Sequence, residues 1–442
     1  MRKVLFCIMI MFVFQSFAQE IDTWERRYGD EMKERGKQIV KMNDGNYLIS
    51  CSASPMAFKE VIWLIAVNEN GDSLWTKTID GGDYNLYIND FAYNYENGLY
   101  AVDYKISRTD SGSEGYLSKR STDYSEIWKQ VYTDCSPLSL TCTPDSGCAV
   151  IVSDFIDIDV MFSWIEKYDK NGNHQFSSGS IFTKSEKAVE TISDITLTSE
   201  GDYLTLWKRR SESGESQFLI YFDDSLNVSA IKPFYGYDLS RIEKANNDDF
   251  VISGSGVVLK IDQYGDIIWE LEIPDYLENI AKSADGNYFV SNSTNTYKVD
   301  DTGKLVWSKN FGSNSMVPTD DGGCIAVGSK YDDVWICKFD QDGNYTNIND
   351  YVYPVAVKLY QNYPNPFNPS TEISYSISSE GKVTLSVFNT KGELVHTLVN
   401  EKRKAGNHSV NFNGEGLNSG IYFYKLEVNG SVAGSKRMLL IK

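Results

Sequence analysis

One short phrase recurs along the first three quarters of the chain: a polar residue beside glycine, followed by an apolar or aromatic run. It reads Asp44-Gly45-Asn46-Tyr47, Asn97-Gly98-Leu99-Tyr100, Ser146-Gly147-Cys148, Glu200-Gly201-Asp202-Tyr203, Asp248-Asp249-Phe250, Asp285-Gly286-Asn287-Tyr288 and Asp321-Gly322-Gly323-Cys324. The fifth of these seven copies has lost its glycine. A second phrase follows most of them, with Trp four residues after a turn glycine: Gly71 to Trp75, Gly265 to Trp269 and Gly303 to Trp307. Tyr124 to Trp128 and Gly172 to Phe176 are variants, and in the fourth unit Leu226 and Ala230 replace the pair.

Asp-Gly and Asn-Gly pairs are the residues that two-residue hairpins use, because both central positions take positive φ. Between the turns run continuous apolar stretches such as Val61–Val67 and Val334–Cys337, the pattern of strands covered on both faces. One four-stranded sheet cannot cover both of its own faces, whereas sheets packed around an axis cover each other. Residues 19–350 divide into units of about 47, within the roughly 40–50 of a propeller blade. The expected fold is therefore all-β, a β-propeller of seven blades, with six and eight the neighbouring counts.

The two ends of this region test the expectation. The last unit has a turn at Gly343, but Asn347 stands where its Trp belongs. Trp24-Glu25-Arg26-Arg27-Tyr28-Gly29 matches Trp307-Ser308-Lys309-Asn310-Phe311-Gly312 in spacing and has no turn before it. A strand spare at one end and missing at the other predicts that Trp24 completes the last blade, which also removes exposed sheet edges. Asp321–Ser329 and Asn68–Asp80 resemble the repeats of bacterial secreted propellers, a resemblance that implies architecture and no activity.

After Asp350 the repeat stops and the charge changes sign. Residues 354–442 carry 10 basic and 6 acidic residues, whereas the whole chain has 42 and 61, for a net charge of -19. That acidity argues against a nucleic-acid partner, which needs a basic face. Alternating apolar residues at Ile373–Ile377, Val383–Val387, His408–Phe412 and Tyr422–Val428 predict a small Ig-like β-sandwich. Each proline of Pro364-Asn365-Pro366-Phe367-Asn368-Pro369 fixes φ and removes a donor. The run is therefore expected outside any sheet interior, leading stiffly into a strand at Ile373.

Asn362–Ile373 resembles the opening motif of the type A C-terminal sorting domain of type IX secretion. Val387–Val395 with Gly392, Ala405–His408, Leu417–Tyr424 with Gly420 and Tyr422, and the closing Lys436–Lys442 match its later motifs in order. The resemblance implies passage across the outer membrane, a sortase-like protease that removes the domain, and release or attachment to surface lipopolysaccharide. Its sorting residues would be Pro364, Asn365, Pro366, Phe367, Asn368, Pro369, Gly392, Gly420, Tyr422 and Lys436. The N-terminus agrees: Met1-Arg2-Lys3, an apolar run from Val4 to Phe14, then Ser16-Phe17-Ala18 read as a signal peptide over residues 1–18, cleaved between Ala18 and Gln19. Eleven apolar residues are too few to span a bilayer, and no later stretch approaches 18.

The chain holds no G-x-S-x-G, Walker, Cys-x-x-Cys or His-Glu-x-x-His motif, and only three His. Asp-rich turns at Asp169 and Asp340 lack the spacing of a calcium loop and read as hairpin turns. Cys142 with Cys148, and Cys324 with Cys337, could each face across a hairpin; they read as small apolar strand residues. His174 is expected at the surface. Tyr84, Tyr87, Tyr93, Tyr95 and Tyr100 could stack on sugars and more simply pack blades. No catalytic, metal or cofactor residue stands out, and none is expected. The expected function is non-catalytic binding or scaffolding of an extracellular glycan or protein, outside the cell or on its surface. A polymer-active enzyme, a glycosidase or lyase on the same ring, is the alternative.

Overall fold

The computed structural model describes residues 23–29, 33–56, 59–94, 98–107, 113–133, 135–157, 160–179, 188–211, 214–345, 358–377, 381–404 and 406–442. Among them every regular element is a strand. Ala18, Gln19, Tyr95, Asn347 and the junction expected near residue 350 lie outside the described residues.

Antiparallel meanders follow one another along residues 24–345. Lys33–Lys41, Tyr47–Met56, Lys59–Val67 and Ser73–Ile79 form the first sheet, and Tyr84–Asn94 through Glu126–Thr133 the second. The next two units share one larger sheet through a single parallel pairing of Met161 with Val189. The fifth has three strands, because Phe250–Ile261 supplies the second and third positions in one stretch through Gly256 at φ 78°. Asn279–Lys282 through Leu305–Lys309 form the sixth sheet.

The first strand of each unit touches the first strand of the next. Lys33–Lys41 meets Tyr84–Asn94, which meets Cys135–Cys142, and so on through Ala188–Leu197, Leu239–Lys244, Asn279–Lys282 and Ser315–Pro318. Ser315–Pro318 in turn meets Lys33–Lys41. The circuit is closed, so the repeat region is a β-propeller. The last sheet, Ser315–Pro318, Cys324–Lys330 and Asp333–Phe339, takes its outer strand from the opposite end of the chain: Trp24–Tyr28 pairs antiparallel with Val334–Lys338. Glu25, buried there, accepts hydrogen bonds from Trp335 Nε1 and Lys330 Nζ, both at 2.7 Å.

The turns differ from the expected two-residue type. In Asn68–Asp72 the Gly71 N–H donates to Asn68 O and the Asn68 N–H to Asp72 O, with one positive φ, at Gly71. This is a type I turn followed by a left-handed residue and a bulge, the three-residue hairpin solution. Ser146 (φ 66°), Tyr124 (φ 63°) and Leu226 (φ 62°) hold the left-handed position where glycine is missing. The glycine-free fifth copy turns instead through two positive-φ residues, Asn247 and Asp248.

The Trp–Gly spacing has a physical cause that spans two units. The indole of Trp24 lies on Gly71 of the first unit, where an added Cβ would sit 2.7 Å from the ring, and its Nε1 donates to Glu69 O at 3.0 Å. Trp128 does the same to Gly172 and Lys170 O, Trp269 to Gly303 and Asp301 O, and Trp307 to Gly343 and Gln341 O. Each tryptophan thus latches onto the turn of the following unit. Buried lysines reinforce the seam: Lys260 Nζ reaches Asp301 of the next unit at 2.7 Å, and Lys298 Nζ reaches Gln341 O at 3.1 Å. A buried charge left unpaired would cost several kcal/mol; each lysine also pairs within its own unit, Lys260 with Asp249 and Lys298 with Asp285.

Residues 358–442 form two further antiparallel sheets around a core of their own. Lys358–Leu359, Ser370–Ile377 and Gly406–Asn413 make one; Leu394–Arg403, Gly381–Phe388, Gly420–Val428 and Ser431–Leu440 make the other. The strand expected from Ile373 starts three residues earlier, at Ser370, and Leu394–Arg403 is a strand that apolar alternation does not reveal.

Trp24→Ala removes the closing latch and empties a buried site, so a loss of about 3–5 kcal/mol is expected. Gly71→Ala meets the Trp24 ring and a positive φ, and should cost about 1–3 kcal/mol. Urea unfolding of both variants checks this. Equal stability of Trp24→Ala and the parent would contradict the latch.

Candidate ligand site at the channel mouth, and the sorting tail

Each of the first five inner strands carries a one-residue bulge at the same place. The skipped residues are Lys37, Asn89, Leu138, Ser193 and Ser240. A bulge re-aims neighbouring side chains, and here it gathers them around the axis. The central cavity, about 320 Å³, is lined by Lys37, Asn89 and Leu138 and also receives Asp90, Asp194, Arg241, Glu243, Asn279 and Asn314; Ser193 and Ser240 line a neighbouring cavity.

Much of this polar lining stitches the ring together. The residue after the bulge reaches the backbone of the next inner strand: Gln38 Oε1 accepts from Phe91 N at 3.0 Å, Asp90 Oδ2 from Leu140 N at 2.9 Å, and Asp194 Oδ2 from Ile242 N at 2.9 Å. Ser315 Oγ accepts from Ile39 N at 3.3 Å where the circle closes. Amides add a second lace, Asn89 to Pro137 O (2.9 Å), Asn279 to Ser313 O (3.0 Å) and Asn314 to Gly36 O (2.7 Å). Asp90 accepts in addition from Gln38 Nε2 and from Ser139 Oγ, the latter at 2.6 Å.

Two further cavities open beside the channel. One, about 140 Å³, lies between the first two units and shares Lys37, Ile88 and Asn89 with it; the other, about 400 Å³, shares Arg241, Asn279 and Asn314 and includes the exposed Tyr276. In an up-and-down meander the two glycine turns of a unit fall at one end and the remaining connections at the other. Tyr276 and Glu278 join one unit to the next, so this polar cleft opens on the end opposite the uniform turns. Variable connections are where binding residues concentrate.

The expected aromatic cluster is divided. Tyr100 is buried against Trp128 in the blade core, while Tyr87 stacks on Tyr104 with centroids 4.8 Å apart and Tyr84 lies under Lys105 Nζ at 4.5 Å. His174 is exposed, its ring edge-on to Tyr168. The carboxylates of Asp169 and Asp340 accept backbone N–H groups within their own turns, the role of a hairpin turn. Cys142 and Cys148 stand opposite one another in register; their thiols are free, as are those of Cys324 and Cys337.

In the tail, Phe367 of the proline run enters the core, its N–H donating to Leu439 O at 2.9 Å while Ile441 N donates to Phe367 O at 3.0 Å. Asn365 Oδ1 accepts from Leu439 N at 2.9 Å. The run therefore lies against the terminal strand rather than merely preceding a strand. Asn362 Nδ2 donates to Pro364 O and to Thr371 Oγ1, both at 3.0 Å, holding the start of the motif. Gly392 and Gly420 hold positive φ at a turn and a strand start, Tyr422 donates to Asn418 O at 2.9 Å, and Lys436 pairs with Tyr424 across the last hairpin. Residues 361–441 match the family model described as the secretion system C-terminal sorting domain.

The tail is a type IX sorting domain. A sorting domain marks its chain for export, to the medium or to the outer cell surface. Among the described residues no helix is long and apolar enough to cross a membrane. No curated protein matches this chain. Among solved structures it is similar to the Dos1 propeller (9% identity, 74% of this chain and 98% of that one, TM-score 0.48). It is similar also to the Neurospora crassa Pan2 WD40 domain (8%, 69% and 88%, 0.46) and to a protein of unknown function from Bacteroides caccae (12%, 60% and 94%, 0.41). The fold of the repeat region before the sorting domain rests on the strand pairing itself.

Burial raises the carboxyls along the channel. Asp194 is pushed up to about 6, first by desolvation, with Asp90 adding and Arg241 opposing; Glu243 rises to about 7 by desolvation and the nearby Asp194. Groups whose folded pKa exceeds the unfolded value give stability that is full at low pH and lost as pH rises through the folded value. Asp123, held down to about 2 by turn hydroxyls and amides, and Asp169, lowered by Asn173, act oppositely and weaken as pH falls through the acid range. The thermal midpoint is thus expected to rise from about pH 8 to about pH 5 and to fall below about pH 4, with Glu243→Gln flattening the alkaline limb. A midpoint that climbs steadily toward pH 8 would contradict this.

Proposed function

We propose that this chain is a secreted or surface-attached binding protein. Residues 1–18 serve as a signal peptide cut between Ala18 and Gln19, residues 19–350 as a seven-bladed propeller, and residues 354–442 as an Ig-like sandwich that addresses the type IX machinery. The closed circuit of inner strands supports the blade count, and the two sheets over one core support the sandwich. The Pro364–Pro369 run, Gly392, Gly420, Tyr422 and Lys436 act by shaping the edge that the machinery and a sortase-like protease read.

The ligand is an extracellular glycan or protein bound at the channel mouth. One observation carries the non-catalytic reading: Asp90 and Asp194 spend their carboxylates on backbone N–H groups of the neighbouring blade. General acids and nucleophiles need a carboxyl free to face a substrate. The alternative, a glycosidase or lyase, draws on Glu243, raised to about 7 beside Asp194 in the same cavity.

Two measurements test these assignments. The exported protein should begin at Gln19, and a chain lacking residues 354–442 should accumulate in the periplasm; finding the truncated chain outside the cell would refute the sorting role. Incubated with a panel of extracellular polysaccharides, the mature protein should retain a ligand and release no new chain ends. Cleavage that Glu243→Gln abolishes would establish the enzyme instead.

A further inference from the structure

Of the bulge residues, Lys37, Asn89 and Leu138 line the central cavity, and among these Lys37 alone carries a formal charge. Lys37 is exposed, lines both the central cavity and the side pocket, and has no hydrogen-bond or ion-pair partner among the described residues. Its counterparts Asn89, Leu138, Ser193, Ser240 and Asn314 are neutral, while the exposed Glu278 holds the equivalent place in the sixth unit. The nearest rim amides donate their N–H groups to neighbouring strands, which leaves their oxygens as acceptors. The central cavity holds two cations, Lys37 and Arg241, beside Asp90, Asp194 and Glu243; Arg241 donates to Glu278 O at 3.0 Å, which leaves Lys37 as the cation without a partner among the described residues.

The side pocket adds two complementary features. Tyr87 and Tyr104, stacked at 4.8 Å and 18°, line it. So does Ser50, only 1% exposed, whose Oγ has no partner among the described residues. A buried hydroxyl without a partner is uncommon and marks a place where a ligand group completes the bonding. Aromatic surface, scattered hydroxyl and amide groups and one unpaired cation together fit a sugar ring bearing a negative group.

We propose that the pocket between the first two blades binds an anionic glycan. The acidic group pairs with Lys37, the sugar packs on Tyr87 and Tyr104, and a sugar hydroxyl reaches Ser50. This rests on the binding-module reading and narrows its ligand class. A uronate carboxylate and a sulfate ester share the chemistry that Lys37 recognises.

The test uses the mature full chain in a direct binding assay. The probes are polygalacturonate, a sulfated galactan, neutral xylan and poly-glutamate. One or both anionic glycans should bind, and the two arms tell carboxylate from sulfate. Lys37→Ala should weaken that binding at least tenfold and Tyr87→Ala several-fold, while Lys304→Ala, an exposed lysine in a turn at the opposite end, should leave it unchanged. Equal binding by Lys37→Ala, preference for xylan or poly-glutamate, or no binding by any probe would overturn this inference alone. Cleavage of a probe would overturn the binding reading beneath it.

Discussion

The ring depends on a strand that the chain supplies first and uses last. Trp24–Tyr28 completes the sheet of Asp333–Phe339, and Trp24 then clamps Glu69 and Gly71 in the first unit. Without that strand the last blade would expose an unpaired edge and the first would lose its cover. Local hairpins form the blades, and contacts across most of the sequence, this strand together with Ser315–Pro318 against Lys33–Lys41, make them a closed body. The same latch operates at Trp128, Trp269 and Trp307, so closure repeats the seam between ordinary neighbours.

That geometry explains why the repeat could be read at all. Glycine and tryptophan recur four residues apart because each turn receives one indole and precedes the strand that delivers the next. It also explains where the phrase erodes. Phe176 replaces Trp in the third unit, and Leu226 replaces Gly in the turn that follows; the two sides of one seam have changed together. At the next seam Ala230 stands in place of Trp, and the Lys232 side chain covers Gly265 instead, 2.9 Å from where a Cβ on that glycine would sit. Ring closure was legible because it rests on such periodic residues. The turn type was not, since Asp-Gly serves both two-residue and three-residue hairpins.

The channel was hidden for a different reason. A bulge inserts one residue and leaves no compositional trace, so the shared position of Lys37, Asn89, Leu138, Ser193 and Ser240 emerges only from the strand register. Nor does sequence distinguish the aspartates that lace inner strands, such as Asp90, from those that cap turns, such as Asp169. The sorting tail sits at the other extreme. Each of its motifs is a contiguous run, and the structure shows how the first meets the last: Asn365 and Phe367 bind the terminal strand near Leu439.

Hydrogen exchange tests the closure most directly. Amides of Trp24–Tyr28 that pair with Val334–Lys338 should exchange as slowly as those of the last blade, near the rate set by global unfolding. Exchange of the N-terminal strand within seconds, with the last blade still protected, would show a ring that does not depend on its first strand.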